Sequence, residues 1–253
     1  MLNRQAMKSI SLTDAPARSS FRDAVRHLGS KLLPHDTAST TCPPAQLVSG
    51  GGPVIIVASL MRSGTHLLLD TLFNNFPGLR RAPLFLDLDA YERKGLPVAP
   101  LTSVKGMIVK THYPETPLAA SYAEALQTLA SRAIVYIPRR SSEEVRRSLA
   151  KWGFQFSQDQ FAELENQFQS FWSRFSPTSV EFTSLLNPSG VQTVLTQIAR
   201  QSGLTLGRPG KPVMPAKSRL GVYMDKALTR IAGSRAPRIN TTIGYRLPPR
   251  QRT

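Results

Sequence analysis

Cysteine is almost absent from this chain of 253 residues: Cys42 stands alone, so no disulfide can form within it. One cysteine fits a reducing compartment, and a cytoplasmic setting is expected. No apolar run approaches the ~18 residues of a membrane-spanning helix, which argues against a membrane anchor. Acids are scarce as well, with 16 Asp and Glu against 32 Lys and Arg, for a formal net charge of +16. His27 and His35 have no metal-ligand spacing, and no metal site is expected. No internal repeat is visible. With 41% hydrophobic residues, the chain is long enough for one well-buried α/β domain plus extensions.

The charge is uneven. Residues 205–253 hold eleven Lys or Arg against Asp225 alone, a net +10 in the last fifth of the chain. Such a tail suits nucleic acid, an acidic membrane or an anionic glycan. Without aromatic interleaving or a base-reading motif, nucleic acid is not the expected partner.

What the sequence does contain is concentrated in residues 53–72, PVIIVASLMRSGTHLLLDTL. The β-branched apolar run of 53–58 reads as a strand buried on both faces. Leu67, Leu68, Leu72 and Phe76 then recur at helical spacing. Between them lies a short loop centred on Ser63 and Gly64. The backbone N–H groups of 63–66 therefore form a helix N-terminus, whose free donors and positive dipole end favour an anion. Arg62 adds a forked, permanently charged donor. The general P-loop pattern, G-x-x-x-x-G-K-[ST], fails at three places. Ser59 replaces the first glycine, Thr65 the lysine and His66 the metal-binding hydroxyl.

Three further segments follow. Residues 106–114, GMIVKTHYP, end an apolar strand in Lys110-Thr111-His112, and Pro114 then stops regular structure. Residues 132–152 read as a strand to Pro138, then a helix opened by the capping-box signature Ser141-x-x-Glu144 and continued by Val145, Leu149 and Trp152. Residues 179–204 read as a short strand, then a helix closing in Gly203-Leu204.

Taken together and in this order, the segments resemble the sulfotransferase superfamily. RSGTH is similar to its 5′-phosphosulfate loop, KTHYP to the K-T-H-x-P segment of cytosolic members, and RRSSEEVRRS to its 3′-phosphate motif. SVEFTSLLNP is similar to its v-x-y-E-D-L-x-x-d-P segment. The resemblance spans about three fifths of the chain. It implies an α/β three-layer sandwich with a central parallel sheet and a P-loop-like phosphosulfate-binding loop. It implies 3′-phosphoadenosine 5′-phosphosulfate as co-substrate and no metal. Ser63, Gly64, Thr65 and His66 would hold the 5′-phosphate. Arg140 and Ser148 would hold the 3′-phosphate, a register preferred over Arg139, whose partner eight residues on is Arg147. His112 would be the general base, its unperturbed pKa of about 6.5 lying near neutrality. Lys110 and Arg62 would stabilise charge on the transferring group. Phe182 would stand near the adenine, although core packing is its default reading.

The departures are specific. Leu67 stands where cytosolic members stack a tryptophan on the adenine, and the C-terminal R-K-G-x-x-G-x-W-[KR] element has only an echo in Arg238, Gly244, Tyr245 and Arg246. Two other classes therefore stay open. One is a P-loop kinase or nucleotidase, with Leu84–Asp87 as a Walker-B-like strand and Asp89 close by. The other is an inactive nucleotide or polyanion binder.

Three regions are expected. Residues 1–50 form a basic extension and linker, with an apolar stripe at Phe21, Val25, Leu28 and Leu32. Residues 51–205 form the catalytic α/β domain. Residues 206–253 form a basic segment that completes the nucleotide site or is partly disordered, with a short helix over 219–232. The aromatic-rich stretch 157–176 is expected to pack in the core, with one or two rings facing the acceptor. That acceptor, a small molecule, lipid or glycan bearing a hydroxyl or less readily an amine, is not specified by the pattern. Nor is an oligomeric state.

Overall fold

The computed structural model describes residues 51–80, 84–215, 221, 224, 225, 227, 228, 231 and 238–241. The expected N-terminal extension, most of the helix expected over 219–232, and Gly244, Tyr245 and Arg246 lie outside these residues. Five parallel strands form one sheet: β1 (Ile55–Ala58), β2 (Phe85–Asp87), β3 (Ile108–Thr111), β4 (Ile134–Arg139) and β5 (Thr178–Glu181), in the order β2-β3-β1-β4-β5. The helices are α1 (Thr65–Asn75), α2 (Leu88–Arg93), α3 (Ala120–Ala130), α4 (Ser142–Ala150), α5 (Gln158–Trp172) and α6 (Pro188–Ser202).

Central β1 explains its own sequence. Side chains alternate across a strand, so Ile55 and Val57 enter one core while Val54, Ile56 and Ala58 enter the other. Because both faces are covered, every position of β1 must be apolar, and the run is continuous. On the first face β1 meets Leu68, Leu69, Leu72 and Phe73 of α1 and Val191, Leu195 and Ile198 of α6. On the second it meets Ala125, Leu126 and Leu129 of α3 and Phe168, Phe171 and Trp172 of α5. The result is a three-layer α/β sandwich.

Local signals set the helix starts. Ser157 and Gln160 form a reciprocal capping box at α5, and Asn187 caps α6 ahead of Pro188. The box expected at α4 is only half formed. Ser141 Oγ accepts from the Glu144 N–H, but the Glu144 carboxylate takes a bond from the Ser141 hydroxyl rather than from its backbone. Helix α6 ends on Gly203 at φ 68°, a left-handed position that glycine adopts without steric cost.

The polar residues of α1 are not a solvated face. Asp70, Asn74 and Asn75 are buried. Asn74 exchanges two hydrogen bonds of 2.8 Å with the backbone of Ile239, Asn75 exchanges bonds of 2.7 and 3.0 Å with that of Val213, and Asp70 accepts from Thr241 N–H at 2.6 Å. Two pieces of C-terminal backbone are thereby held along α1, and their polar groups are satisfied. No helix among the described residues is long and apolar enough to cross a membrane.

Topology locates the crevice. The chain leaves β1 for α1 on one face of the sheet and β3 for α3 on the other, and after β4 it runs through α4 before α5 packs on that second face. The C-terminal ends of β3, β1 and β4 therefore border an open edge where connections diverge, the usual place for a ligand in such sheets.

Candidate anion-binding site

The loop between β1 and α1 is a tight turn: Ser63 donates to the Leu60 carbonyl through both its N–H (3.3 Å) and its hydroxyl (2.8 Å). Arg62 is held at φ 69°, a left-handed conformation that costs a non-glycine residue about 1–2 kcal/mol. Gly64 follows at φ 115° as the N-cap of α1, with no side-chain cap on that helix end. Thr65 turns its hydroxyl to Ser59 Oγ at 2.5 Å. A Cβ on Gly64 would lie 2.7 Å from the Phe182 ring, so close packing demands glycine here as much as φ does.

Two guanidinium groups meet at this loop. Arg62 donates from Nε to Ser148 Oγ at 2.9 Å and lies 4.6 Å above the Trp152 ring. Arg140 donates to the Arg62 carbonyl at 3.4 Å and lies 4.5 Å above the Phe182 ring, with Glu144 3.4 Å from its Nε. Arg62 has no carboxylate within ion-pair distance among the described residues. Partial burial and the neighbouring Arg140 charge both lower its pKa. Arg139, the other register considered for the 3′-phosphate, turns away to Gln169 at 3.1 Å. Ser148, expected beside Arg140, is instead bonded to Arg62. Phe182 lies against Gly64 and beneath Arg140. Leu67 is partly buried against the α1–α6 core.

Beneath the loop lies a different set of charges. Lys110 Nζ is 2.9 Å from Asp87 Oδ2 and 3.9 Å from Asp89 Oδ2, and all three residues are at most 2% exposed. Lys110, expected to stabilise charge on the transferring group, is thus placed in a buried ion pair at the end of β3. Asp87 also caps α2 through Ala90 N–H. Asp89 accepts from Thr111 Oγ1 at 2.9 Å and from the His112 N–H at 3.0 Å. Burial pushes the Asp89 carboxyl up to about 6, although Lys110 opposes the shift.

His112 stands at the end of β3 beside the loop. Its Nδ1 lies 2.7 Å from the Ser59 carbonyl, so Nδ1 carries the proton and Nε2 has no hydrogen bond among the described residues. Burial first, and then the Lys110 charge, lower its pKa. The imidazole is therefore neutral at pH 7, further from its ordinary value than the sequence suggests. His66 differs. Its ring turns to Thr241 Oγ1 at 2.8 Å, and burial lowers its pKa to about 4, so only its backbone remains for an anion in the loop.

Sequence reasoning overlooked Glu115. This buried carboxyl accepts from the Met61 N–H at 2.5 Å while its Oε1 has no partner, and burial raises its pKa to about 7. It ties the turn after β3 to the phosphate-type loop. The only sequence signal was an acid directly after KTHYP. Trp152 was read as a continuation of an apolar helix stripe, yet it lies two residues beyond α4, 54% exposed and stacked on Arg62. Arg238, part of the C-terminal echo, pairs with Asp225 at 3.2 Å. Among the described residues no group of three or more His, Cys, Asp or Glu could hold a metal ion.

Fold and site together define a parallel α/β protein with a P-loop-like strand–loop–helix at its centre. No family model matches the chain, and no curated protein matches it in sequence. Among solved structures, it is similar to shikimate kinase from Bacteroides thetaiotaomicron, at 13% identity and a TM-score of 0.36 over 59% of this chain and 97% of that one. It is also similar to shikimate kinase from Acinetobacter baumannii in complex with shikimate, at 15% identity and a TM-score of 0.33 over 63% of this chain and 96% of that one. Likeness this slight carries no argument about activity.

Proposed function

We propose that the chain is a sulfotransferase that moves a sulfuryl group from 3′-phosphoadenosine 5′-phosphosulfate to a hydroxyl acceptor, with an amine as the second choice. The observation that carries the reading is the meeting of Arg62, Arg140 and Ser148 at the mouth of a helix without a side-chain cap, with no carboxylate among the described residues neutralising Arg62. Like charges held this close favour a ligand of high negative charge density. A nucleotide with phosphates at both ends of its ribose has that character. The loop backbone at 63–66 takes the 5′ end, and Arg140 takes the 3′-phosphate.

In this scheme the acceptor oxygen attacks sulfur, its proton passes to His112 Nε2, and the sulfur–oxygen bond to the 5′-phosphate breaks. Adenosine 3′,5′-bisphosphate leaves with the bond's electron pair. The Ser59 carbonyl fixes the tautomer that leaves Nε2 basic. Arg62 stabilises charge on the bridging oxygen without the help of Lys110. The anionic donor itself raises the depressed His112 pKa toward the working range.

A second reading, a P-loop kinase, is favoured by the two acids Asp87 and Asp89 at the end of β2. Against it, the cradle lysine is missing and Asp87 is bound to Lys110 rather than open to a metal. Titration of the full chain with adenosine 3′,5′-bisphosphate and with Mg·ATP separates the two. Metal-independent preference for the bisphosphate supports sulfuryl transfer, and preference for Mg·ATP supports the kinase.

A further inference from the structure

A groove of about 580 Å³ lies outside the anion-binding loop, lined by Pro114, Asn166, Gln167, Ser170, Phe171 and Arg174. We infer that it is an acceptor subsite for an acidic glycan, an inference that rests on the sulfotransferase reading for what happens to that glycan but not for its binding.

Position is the first argument. Pro114 is two residues from His112, and the turn that carries both is fixed to α5: Trp172 Nε1 donates to the Tyr113 carbonyl at 2.8 Å, and the Tyr113 and Phe171 rings meet edge to face at 4.7 Å. The anion-binding loop feeds α1 on one face of the sheet, whereas α5 packs on the other. In-line transfer requires the acceptor to approach from the side opposite the leaving nucleotide. A chain entering over α5 comes from the face opposite α1 and reaches the turn that carries His112.

Chemistry is the second argument. Asn166, Gln167, Ser170, Phe171 and Arg174 recur at intervals of three and four, so one face of α5 and the turn after it present two amides, a hydroxyl and a guanidinium in a row. Among the described residues Asn166 and Ser170 have no side-chain hydrogen bond, and Gln167 uses only its amide nitrogen, toward Glu163 at 3.2 Å. Such groups match vicinal hydroxyls, while Pro114 offers a small apolar contact for a sugar face. Phe171 adds little open apolar surface, since Arg174 lies 4.8 Å above its ring. That stacking, with a 3.2 Å bond from Arg174 Nε to the Phe171 carbonyl, fixes the guanidinium while leaving its two terminal nitrogens without an acceptor among the described residues. No carboxylate lines the groove. A rigid guanidinium with two free donors suits a carboxylate or sulfate on the sugar.

The test uses a hexasaccharide of alternating glucuronate and N-acetylglucosamine, a neutral N-acetylglucosamine hexasaccharide, and adenosine 3′,5′-bisphosphate as separate ligands of the full chain. Arg174→Ala should weaken the acidic hexasaccharide about tenfold and leave the bisphosphate affinity unchanged. Arg200→Ala, an exposed arginine on α6, controls for the general basicity of the chain and should change neither. Equal loss in the two variants, no loss in Arg174→Ala, or equal binding of the neutral sugar would overturn the inference. So would turnover of a simple phenol with a KM indifferent to Arg174, together with no binding of the acidic hexasaccharide. If the bisphosphate fails to bind while the hexasaccharide still depends on Arg174, the groove stands and the donor reading falls.

Discussion

Two clusters of charge lie within a few residues of each other at the sheet edge, and they are built oppositely. Lys110, Asp87 and Asp89 are buried, paired and laced to backbone, whereas Arg62, without a carboxylate partner among the described residues, and Arg140, paired only with the half-exposed Glu144, stand at the mouth of the crevice, repelling each other and propped on aromatic rings. A buried pair that loses one partner leaves an uncompensated charge in a low-dielectric interior. A repelling pair that loses one member is relieved. Residue type and sequence position do not distinguish these cases, because Lys110 and Arg62 are both cations expected from the sequence to face the transferring group. Environment does distinguish them.

The largest expected effect of breaking the contrast is on the buried side. Lys110→Met should destabilise the fold by about 3–5 kcal/mol, because Asp87 is left buried beside Asp89. Chemical denaturation checks this. Retention of stability with loss of turnover would return Lys110 to the reacting centre. Next in size, His112→Ala should lower turnover by about 10² to 10⁴, at least about 2.7 kcal/mol of transition-state stabilisation, while bisphosphate affinity is retained. Steady-state kinetics alongside a binding isotherm decide whether the loss is in chemistry or in the fold.

A smaller effect sharpens the register at the end of β4. Arg140→Ala should weaken adenosine 3′,5′-bisphosphate by about 1.5–3 kcal/mol, the scale of a charged hydrogen bond, and barely affect adenosine 5′-monophosphate. Arg139→Ala, which loses only a contact to Gln169, should affect neither. Isothermal titration of both variants with both nucleotides reads the difference.

The smallest effect concerns Glu115, whose folded-state pKa is raised from 4.5 to about 7 by burial. The folded protein then holds a proton that the unfolded chain releases above pH 4.5. The stabilisation is fully present below about pH 4.5 and is lost as pH rises toward 7, with a slope of at most about 1.4 kcal/mol per pH unit. Asp70 and Asp89, raised by burial to about 7 and about 6, act in the same direction, while the depressed pKa values of His66 and His112 act in the opposite one, so the raw profile mixes all of them. The difference between wild type and Glu115→Gln isolates the carboxyl: stability relative to the variant should fall as pH rises through this window. A flat difference would remove Glu115 as a titrating tie between the two loops.

How much of this was legible in the sequence depends on how local each signal was. The β1–loop–α1 unit, the strand ending in Lys110-Thr111-His112 and the helix begun by Ser141 are written in short stretches where period and capping decide the outcome. The preference for Arg140 over Arg139 rests on a neighbouring helix start, and the structure places Arg140 at the loop and Arg139 against Gln169. The pairing of Lys110 with Asp87 spans 23 positions, and neither residue's own neighbourhood encodes it. Asp70, Asn74 and Asn75 look like the wet face of a helix, and only backbone from 138 to 171 positions away makes them core. The stacking of Trp152 on Arg62 and the lowered pKa of His112 are products of assembly. Gly64 is expected from the sequence only as part of the phosphate-type loop, and the Phe182 ring packed against it is a demand for glycine that no local pattern encodes.

The most direct test of the central claim, that Arg62 and Arg140 form a site strained for an anion, measures stability and affinity on the same variants. Arg62→Gln, Arg140→Gln and the double variant should each hold or gain thermal stability in the absence of ligand. Each single change should weaken adenosine 3′,5′-bisphosphate by about tenfold or more, without any requirement for Mg²⁺. If the substitutions lower stability and leave bisphosphate affinity unchanged, the two arginines are structural and the anion-binding site does not exist.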